Sequence, residues 1–399
     1  AMHYEVDKKR HEAHTRILGT FSSRSVFAPG RGRTLVFEGR LPSAVETLSP
    51  EPALLREIAG SGVVIPEYPR LRAAIDAAFE EPRRGPSRNT AAIDIVHNGR
   101  VIGEKYAPGY GPDVALWGHS LAKSVVNALV GILVRNGALD TNRPAPVPEW
   151  HTPNDPRAAI TLDNLLRMDA GFGFDEGVGS TLATRMFYTQ PDTARFAVAA
   201  KLTTSPGTRW GYSSRSYAVL SRIVGEAVGG GPNFIHHNLF DPLGMQSATV
   251  EYDSAGTMMG AYSILASPRD WARFGPLYLN DGVVAGHRIL PEGWVHYSTS
   301  PTLDSSYGTG FWLNNTDREI PVWRFPWGLP GAPSDTFMAR GYLGQYIVIV
   351  PSESLVVVRF GYSRGRGAAM ESVGRLIHDI IIALHLGVSE MHTSSASLS

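Results

Sequence analysis

Residues 124–137 form an apolar run that, if helical, is apolar on nearly every side, which is the strongest hydrophobic pattern in the chain. A helix that is apolar on all sides is typical of a protein interior, whereas a surface helix is apolar on one side only. We therefore predict a buried central helix over this stretch. Ser120 and Lys123 stand just before it, and residues three apart lie on the same face if the helix begins there.

Shorter apolar runs predict strands near both ends of the chain. Ala91–His97 and Val101–Tyr106 flank Asn98-Gly99, which favours a tight hairpin turn. Gln345–Val350 and Ser354–Phe360 form a second pair around a short polar turn. Because hairpins join antiparallel strands, we predict one antiparallel sheet built from both ends of the chain.

The segments between these strands have mostly helical spacing of their apolar residues. The contrast between strand-like and helical regions divides the chain into parts. The predicted fold class is α+β, an antiparallel sheet flanked by helices, with an all-α insert. The parts are an extended N-terminal arm over 1–65, an α/β domain over 66–118 and 261–388, a mostly helical domain over 119–260 and a disordered tail over 389–399.

The composition is that of an ordinary globular protein and excludes several classes of function. Among 399 residues the apolar fraction is 43%, the formal net charge is zero and cysteine is absent. A neutral chain without a basic stripe does not attract nucleic acid, and a chain without cysteine has no disulfide or thiolate nucleophile. No apolar run reaches the length of a membrane span. We expect a small-molecule substrate, no nucleic acid and no obligate protein partner, with the oligomeric state open.

Ser120 and Lys123 are the first candidates for chemistry. In the first turn of a helix, free backbone N–H groups and the positive dipole end favour a developing oxyanion. A lysine in an apolar core loses hydration, which lowers its pKa and favours the neutral amine that could activate a serine. Two other interpretations stay open, since Ser-x-x-Lys also occurs by chance and Gly118-His119-Ser120 approaches the nucleophile elbow of α/β-hydrolases.

Two segments further along the chain offer partners for this pair. A nearby positive charge would lower the pKa of Tyr212 and make it a phenolate-like base, while Ser214 could orient the lysine or donate to a substrate carbonyl. The glycines of Arg340–Gln345 precede an apolar strand, so a backbone N–H there could form part of an oxyanion hole. The structural alternatives are packing of Tyr212 on Trp210 and a simple bulge.

These motifs together resemble those of the serine β-lactamase and penicillin-binding-protein superfamily. The most similar branch is the class C β-lactamase-like one, which includes esterases, D-amino-acid peptidases and 6-aminohexanoate-dimer hydrolases. That branch combines Ser-x-x-Lys with a later Tyr-x-Asn or Tyr-Ser-Ser, and here Tyr212 follows Ser120 by 92 residues. Thr161–Gly171 and Gly344-Gln345 also fit, so the resemblance spans residues 66–385.

The resemblance implies a mechanism and assigns its residues. Ser120 would be the nucleophile, with Lys123 and Tyr212 sharing the roles of general base and acid. The backbone N–H groups of Ser120 and Tyr342 would form the oxyanion hole. The substrate would transfer its acyl group to Ser120 and release an amine or alcohol, and water would then hydrolyse the acyl-enzyme, with no metal or cofactor. The residues implied to bind substrate are Ser214, Gly341 and Tyr342.

Two departures from the family pattern bear on the substrate. Ser214 replaces the asparagine of Tyr-x-Asn, and Ala339-Arg340-Gly341 replaces the Lys-Thr-Gly with which β-lactamases hold a carboxylate. Arg340 could compensate only if its side chain faces the site. We therefore predict small esters or amides as substrates, with β-lactamase activity weak or absent. The aromatic segment Trp323–Trp327 is expected to pack, with an acyl-pocket wall as the alternative.

Alternative functions and the location of the protein stay open. One alternative is an α/β-hydrolase esterase built on Gly118-His119-Ser120, which would need alternating parallel strands and helices. Another is a catalytically silent penicillin-binding-like module. The resemblance implies a bacterial protein that is exported to the periplasm or anchored in a membrane through a missing segment, and otherwise cytoplasmic. Ala1-Met2 is typical of a cloning remnant, so a natural signal could have been removed.

Overall fold

The structure is a computed structural model that describes residues 2–17, 21–28, 32–37, 48, 50–174, 176, 182–230, 232–319, 326–364 and 368–396. The strands are β1 (Met2–Asp7), β2 (Glu12–Ile17), β3 (Phe21–Ala28), β4 (Gly32–Val36), β5 (Thr90–His97), β6 (Arg100–Tyr106), β7 (Leu116–Trp117), β8 (Thr249–Val250), β9 (Ile264–Ala266), β10 (Val283–Val284), β11 (His287–Arg288), β12 (Trp312–Leu313), β13 (Asn315–Glu319), β14 (Pro326–Trp327), β15 (Phe337–Gly341), β16 (Gln345–Val350) and β17 (Leu355–Gly361). The helices are α1 (Pro69–Phe79), α2 (Ala122–Arg135), α3 (Leu162–Arg167), α4 (Leu182–Thr189), α5 (Thr193–Val198), α6 (Ser214–Ala227), α7 (Asn233–Ile235), α8 (Asp241–Leu243), α9 (Pro268–Leu279), α10 (Trp294–Thr299) and α11 (Ala368–Ala396).

The main sheet has six strands in the order β12-β15-β16-β17-β5-β6, and every neighbouring pair is antiparallel. It joins the two ends of the chain, because β17 pairs with β5. The hairpin between β5 and β6 turns at Asn98 and Gly99, whose φ values of 51° and 77° are those that a tight hairpin turn requires. The predicted α+β fold class with its antiparallel sheet is confirmed.

Helices cover both faces of this sheet. On one face, α1 packs through Ile75, whose side chain lies against Gly103 of β6. On the other face, α9 approaches so closely that a Cβ on Gly275 would be 2.4 Å from the side chain of Val356 in β17. The strands β16 and β17 are therefore buried at every residue, which is why their sequences are apolar apart from Gln345 and Arg359.

The helix α2 is the buried central helix that the apolar run predicts. Every residue from Ala122 to Leu133 is buried. Its one buried amide, Asn127, donates to the Thr309 carbonyl at 2.8 Å and accepts from the Tyr278 hydroxyl at 2.5 Å. These bonds fix the rotation of the helix about its axis, and so they fix the direction in which Lys123 points.

The N-terminal region differs from the extended arm predicted for residues 1–65. The strands β1 to β4 pair in chain order as a separate antiparallel sheet. Residues 2–7 alternate between larger apolar and polar side chains, which is the signal for a strand that the prediction overlooked. The sheet contacts the helical region through β4, where the backbone N–H of Arg33 donates to the Glu251 carboxylate at 3.1 Å.

The C-terminal helix is longer than predicted. It extends to Ala396 and so includes residues 389–396, which were expected in a disordered tail. No proline interrupts the segment, so nothing in the backbone ends the helix after its buried turns. Between residues 119 and 260 the described elements are helices and turns apart from β8. None of the described helices combines the length and the apolar character needed to cross a membrane.

Candidate active site

Ser120 lies in a tight turn between β7 and α2. The preceding residue, His119, has a left-handed backbone with φ of 50°, and a short 3₁₀ turn then leads directly into the helix. The backbone N–H of Gly118 donates to the Ile264 carbonyl at 2.9 Å, which ties this serine turn to β9. A Cβ at Gly118 would be 2.6 Å from the ring of Trp271, so only glycine fits. The serine is thus held at the amino end of a rigid, buried helix.

The amine of Lys123 is buried and surrounded by three oxygens. The side chain is 1% exposed. Its Nζ donates to Ser120 Oγ at 3.1 Å, to Ser214 Oγ at 3.2 Å and to the Ala261 carbonyl at 2.5 Å. None of these partners is a carboxylate, and burial lowers the pKa of Lys123 to about 8. A substantial neutral fraction near neutral pH is what a general base needs.

Tyr212 joins Ser120 and Lys123, as the motif predicts, but in a different ionisation state. Its phenol shares a hydrogen bond with the Ser120 hydroxyl, and its ring centroid is 5.0 Å from Lys123 Nζ. The ring stacks on Trp312 at 5.3 Å, and burial raises the pKa of Tyr212. The prediction of a phenolate-like base is therefore wrong, because desolvation disfavours the phenolate more than nearby positive charge favours it. Near neutral pH the phenol is a proton donor.

Glu176 is a candidate that the sequence analysis missed. Its carboxylate accepts hydrogen bonds from the Ser214 backbone N–H at 2.5 Å and from the Ser214 hydroxyl at 3.1 Å. Ser214 in turn contacts Lys123, so the geometry matches the option in which Ser214 orients the lysine. The sequence around Glu176 has no periodicity or motif, and nothing in it connects this residue to a serine 38 residues away.

The end of β15 lies against the serine turn. A Cβ on Gly341 would be 2.3 Å from the Gly118 carbonyl oxygen, so the close approach of the two segments requires glycine. Tyr342 follows, with a side chain that is 58% exposed and a ring that meets His119 edge-on at 5.8 Å. The two backbone N–H groups predicted for an oxyanion hole, those of Ser120 and Tyr342, therefore belong to segments in direct contact.

Arg340 lies on the other face of β15. It is paired in register with Tyr346, and its guanidinium lies 5.6 Å from the centre of that ring. Neighbouring residues of a strand point to opposite faces, and Gly341 faces the serine turn. The charge of Arg340 nevertheless acts against burial to lower the pKa of Tyr212, so the guanidinium lies near enough to act on the site. Of the aromatic segment 323–327, residues 323–325 lie outside the described residues.

The geometry contradicts the α/β-hydrolase alternative. That fold carries its serine on a turn between a parallel strand and a helix. Here an antiparallel hairpin precedes the serine turn, and β7 pairs antiparallel with β9. Among the described residues, no group of three or more His, Asp or Glu side chains is arranged to hold a metal ion.

Comparison with known proteins assigns this chain to a family. A sequence model of the Beta-lactamase family matches residues 75–380. The chain belongs to the Beta-lactamase family. The resemblance inferred from the motifs is thus confirmed, and the protein is a serine hydrolase, as predicted.

Relatives of this Beta-lactamase-family chain show a range of hydrolases. The 6-aminohexanoate-dimer hydrolase of Paenarthrobacter ureafaciens is 24% identical over 289 residues, covering 68% of this chain and 72% of the relative. A family VIII carboxylesterase superposes with a TM-score of 0.62 at 15% identity, over 81% of this chain and 99% of that one. The class C β-lactamase of Rhodobacter sphaeroides superposes with a TM-score of 0.58 at 17% identity, over 79% and 99%. At these identities the structures establish the shared fold and leave the substrate open.

Proposed function

We propose that this enzyme hydrolyses small esters or amides through an acyl-enzyme on Ser120. The observation that carries the proposal is the 3.1 Å hydrogen bond between Ser120 Oγ and the buried amine of Lys123. A hydroxyl within reach of a base of lowered pKa is the arrangement of an activated nucleophile. Relatives named as a carboxylesterase and a 6-aminohexanoate-dimer hydrolase support this substrate class.

In the acylation step, the neutral amine of Lys123 takes the proton from Ser120 Oγ. The freed electron pair attacks the substrate carbonyl carbon, and the carbonyl oxygen becomes negative. The backbone N–H groups of Ser120 and Tyr342 donate to that oxygen, at the amino end of α2 where the helix dipole also favours negative charge. This role accounts for the close approach of β15 to the serine turn.

Departure of the leaving group requires a proton, which Tyr212 supplies. Its raised pKa keeps the phenol protonated, so it donates to the leaving nitrogen or oxygen and recovers a proton from the Lys123 ammonium. Water then attacks the acyl-enzyme with its proton passing to Lys123. Ser120 is regenerated with its hydroxyl, and the carboxylic acid product leaves.

We base the substrate preference on Ala339-Arg340-Gly341, the segment that replaces the family Lys-Thr-Gly. That segment has no lysine where β-lactamases hold the substrate carboxylate, and the guanidinium of Arg340 lies 5.6 Å from the centre of the Tyr346 ring. We expect p-nitrophenyl butyrate to be hydrolysed with a kcat/KM well above that of nitrocefin. A D-alanyl p-nitroanilide measured in parallel separates amide from ester preference. Nitrocefin turnover equal to that of the ester would contradict this assignment.

The test of the proposal is Ser120→Ala. The variant should lose p-nitrophenyl butyrate hydrolysis by roughly 10⁴-fold or more, because the nucleophile is gone. A fluorophosphonate probe should label native protein at Ser120, located by peptide mass spectrometry, and should not label the variant. The matched control, Ser61→Ala, removes an exposed hydroxyl and should leave both readouts unchanged. Full turnover by Ser120→Ala would refute the mechanism, and a native protein that neither reacts nor turns over would favour a silent binding module.

A further inference from the structure

A chain of hydrogen bonds leads from Lys123 to Glu176, which the mechanism above does not use. Lys123 Nζ lies 3.2 Å from Ser214 Oγ, and Ser214 Oγ lies 3.1 Å from Glu176 Oε2. The second carboxylate oxygen accepts the Ser214 backbone N–H at 2.5 Å. Both oxygens of the half-buried Glu176 are therefore directed at the residue that touches the lysine.

The donor and acceptor chemistry of these groups allows the hydrogen bonds between Lys123 and Glu176 to run in one direction. An ionised carboxylate only accepts hydrogen bonds, a serine hydroxyl donates one, and an ammonium only donates. With Glu176 ionised, Ser214 must donate to the carboxylate, and its oxygen lone pairs then face the lysine. Protonated Lys123 completes the chain, since its N–H bonds need acceptors. The arrangement thus favours positive charge on the lysine.

We propose that Glu176 is a positioning residue that acts through Ser214 to stabilise the ammonium formed when Lys123 takes the Ser120 proton. The inference rests on the proposed function. In this step the O–H bond of Ser120 breaks, its electron pair goes to the substrate carbonyl carbon, and a new N–H bond forms on Lys123. Glu176 keeps its negative charge throughout and takes no proton.

The separation between the two charges matters for the base. A buried ammonium without any counter-charge is costly, so proton transfer to an isolated Lys123 would be uphill. A carboxylate in direct contact would have the opposite fault, because it would hold the lysine protonated at all working pH values. The bridging hydroxyl of Ser214 places the charge at an intermediate distance. Burial lowers the pKa of Lys123, and Glu176 acts in the opposite direction.

The other ionisable groups around Lys123 titrate outside the range in which it does. Burial and the lysine charge lower the pKa of His119 to about 4. Burial raises the pKa of Tyr212 and of Tyr217, whose ring lies 5.9 Å from Nζ. Arg340 acts on Tyr212 as a fixed positive charge. A rise in activity centred near pH 8 therefore reports the loss of a proton by Lys123.

The experiment is the pH dependence of kcat/KM for p-nitrophenyl butyrate in the Glu176→Gln enzyme. The amide keeps the shape and an acceptor oxygen for Ser214 but removes the charge. The ascending limb should move to lower pH by roughly 0.5–1 unit, less than the 1–3 units of a charge in direct contact. The plateau should fall about tenfold, because the ammonium has lost its counter-charge. Glu149→Gln, which removes a carboxylate paired with Arg222 outside the site, is the matched control and should leave the limb in place.

Two further variants keep the test decisive if Glu176→Gln folds poorly by circular dichroism. Glu176→Asp retains the charge and should restore most of the native limb. Ser214→Ala removes the bridge, and adding Glu176→Gln to it should shift the limb no further. A plateau that falls while the limb stays at the native pH would mean a merely structural role and would overturn the inference. If Ser120→Ala is inactive and the limb is unmoved, only this inference fails, whereas an active Ser120→Ala enzyme would remove the proposed function itself.

Discussion

Arg269 and Lys123 are two cations that the packing of this protein largely removes from water, and they serve different purposes. Arg269 of α9 donates to both carboxylate oxygens of Glu104 in β6, at 2.6 and 2.7 Å, and to the carbonyls of Gly60 and Gly62. Hydrogen bonding to Glu104 raises the pKa of Arg269. Lys123 has hydroxyls and a carbonyl as its partners, and burial lowers its pKa to about 8.

The difference lies in the partner, since both side chains are largely removed from solvent. A directly paired carboxylate fixes the charge of Arg269, and the pair joins α9, the edge strand β6 and the segment of residues 60–62. Neutral oxygens leave the charge of Lys123 adjustable, so the proton can come and go. Burial alone therefore does not mark a reactive group. Lys123 is distinguished by a buried amine that has no directly paired opposite charge, lies beside the Ser120 hydroxyl and can lose its proton near neutral pH, which the buried guanidinium of Arg359 cannot do.

The sharpest way to break this comparison is to replace Lys123. Lys123→Met should lower kcat/KM by ~10²–10⁴-fold, because the base is lost, while the melting temperature is held or raised, because an unpaired buried cation is replaced by an apolar chain of similar length. Lys123→Arg should not recover activity, since a guanidinium stays charged at every working pH. Ester hydrolysis and thermal unfolding measure the two effects. A loss below tenfold would mean that Lys123 is not the base.

The reciprocal change is Arg269→Met, which should damage stability and spare chemistry. It leaves the Glu104 carboxylate, whose side chain is 0% exposed, without its cation. We expect the free energy of unfolding to fall by about 3 kcal/mol, the low end for a broken buried pair because Arg269 is partly exposed. Urea titration measures this effect. At a temperature where the variant is folded, kcat/KM should stay within a few-fold of native, and a hundredfold loss would erase the contrast with Lys123.

The pH profile of the native enzyme sharpens the comparison without any substitution. With the pKa of Lys123 at about 8, only the neutral fraction above that pH is an active base. At pH 7 this fraction is about one tenth, so kcat/KM should be about tenfold below its plateau above pH 9. Arg269 stays charged over the whole range, so it contributes no rise or fall to the pH profile of kcat/KM. Activity that is flat from pH 6 to 9 would show that Lys123 titrates elsewhere.

The parts of this fold that sequence reasoning predicted are those encoded by neighbouring residues. The apolar run of α2 and the Asn98-Gly99 turn are local signals, and each element forms where its signal lies. The Ser120–Lys123 contact is also local, because residues three apart on a helix share a face. Tyr212 could be assigned to the candidate active site from its motif alone.

What could not be predicted depends on distant contacts. Glu104 and Arg269 are 165 residues apart, and neither has a periodic or motif context that marks its partner. The contact between Glu176 and Ser214 could not be predicted for the same reason, since the two residues are 38 positions apart. The ionisation of Tyr212 was predicted with the wrong sign, because the sequence shows a cationic neighbour but not the depth of burial. Whether desolvation or charge decides a pKa is a property of the packed structure.

The smallest effect on activity is expected at Asp94, a fully buried acid opposite Glu104 on the neighbouring strand. Burial, aided by the Glu104 charge, raises the pKa of Asp94 well above its usual value. The folded state then keeps this proton at pH values where the unfolded chain has released it, so stability falls as pH rises from the unfolded pKa of about 3.9 towards the folded one. Asp94→Asn removes that dependence. The melting temperature of the variant should decline less than that of the native protein between pH 4 and 7, by the equivalent of about 1.4 kcal/mol for each pH unit over which only the folded state keeps the proton. The control is Asp76→Asn, which changes an exposed carboxylate paired with Lys105. Parallel curves of melting temperature against pH for Asp94→Asn and native protein would show that Asp94 is ionised in the folded state.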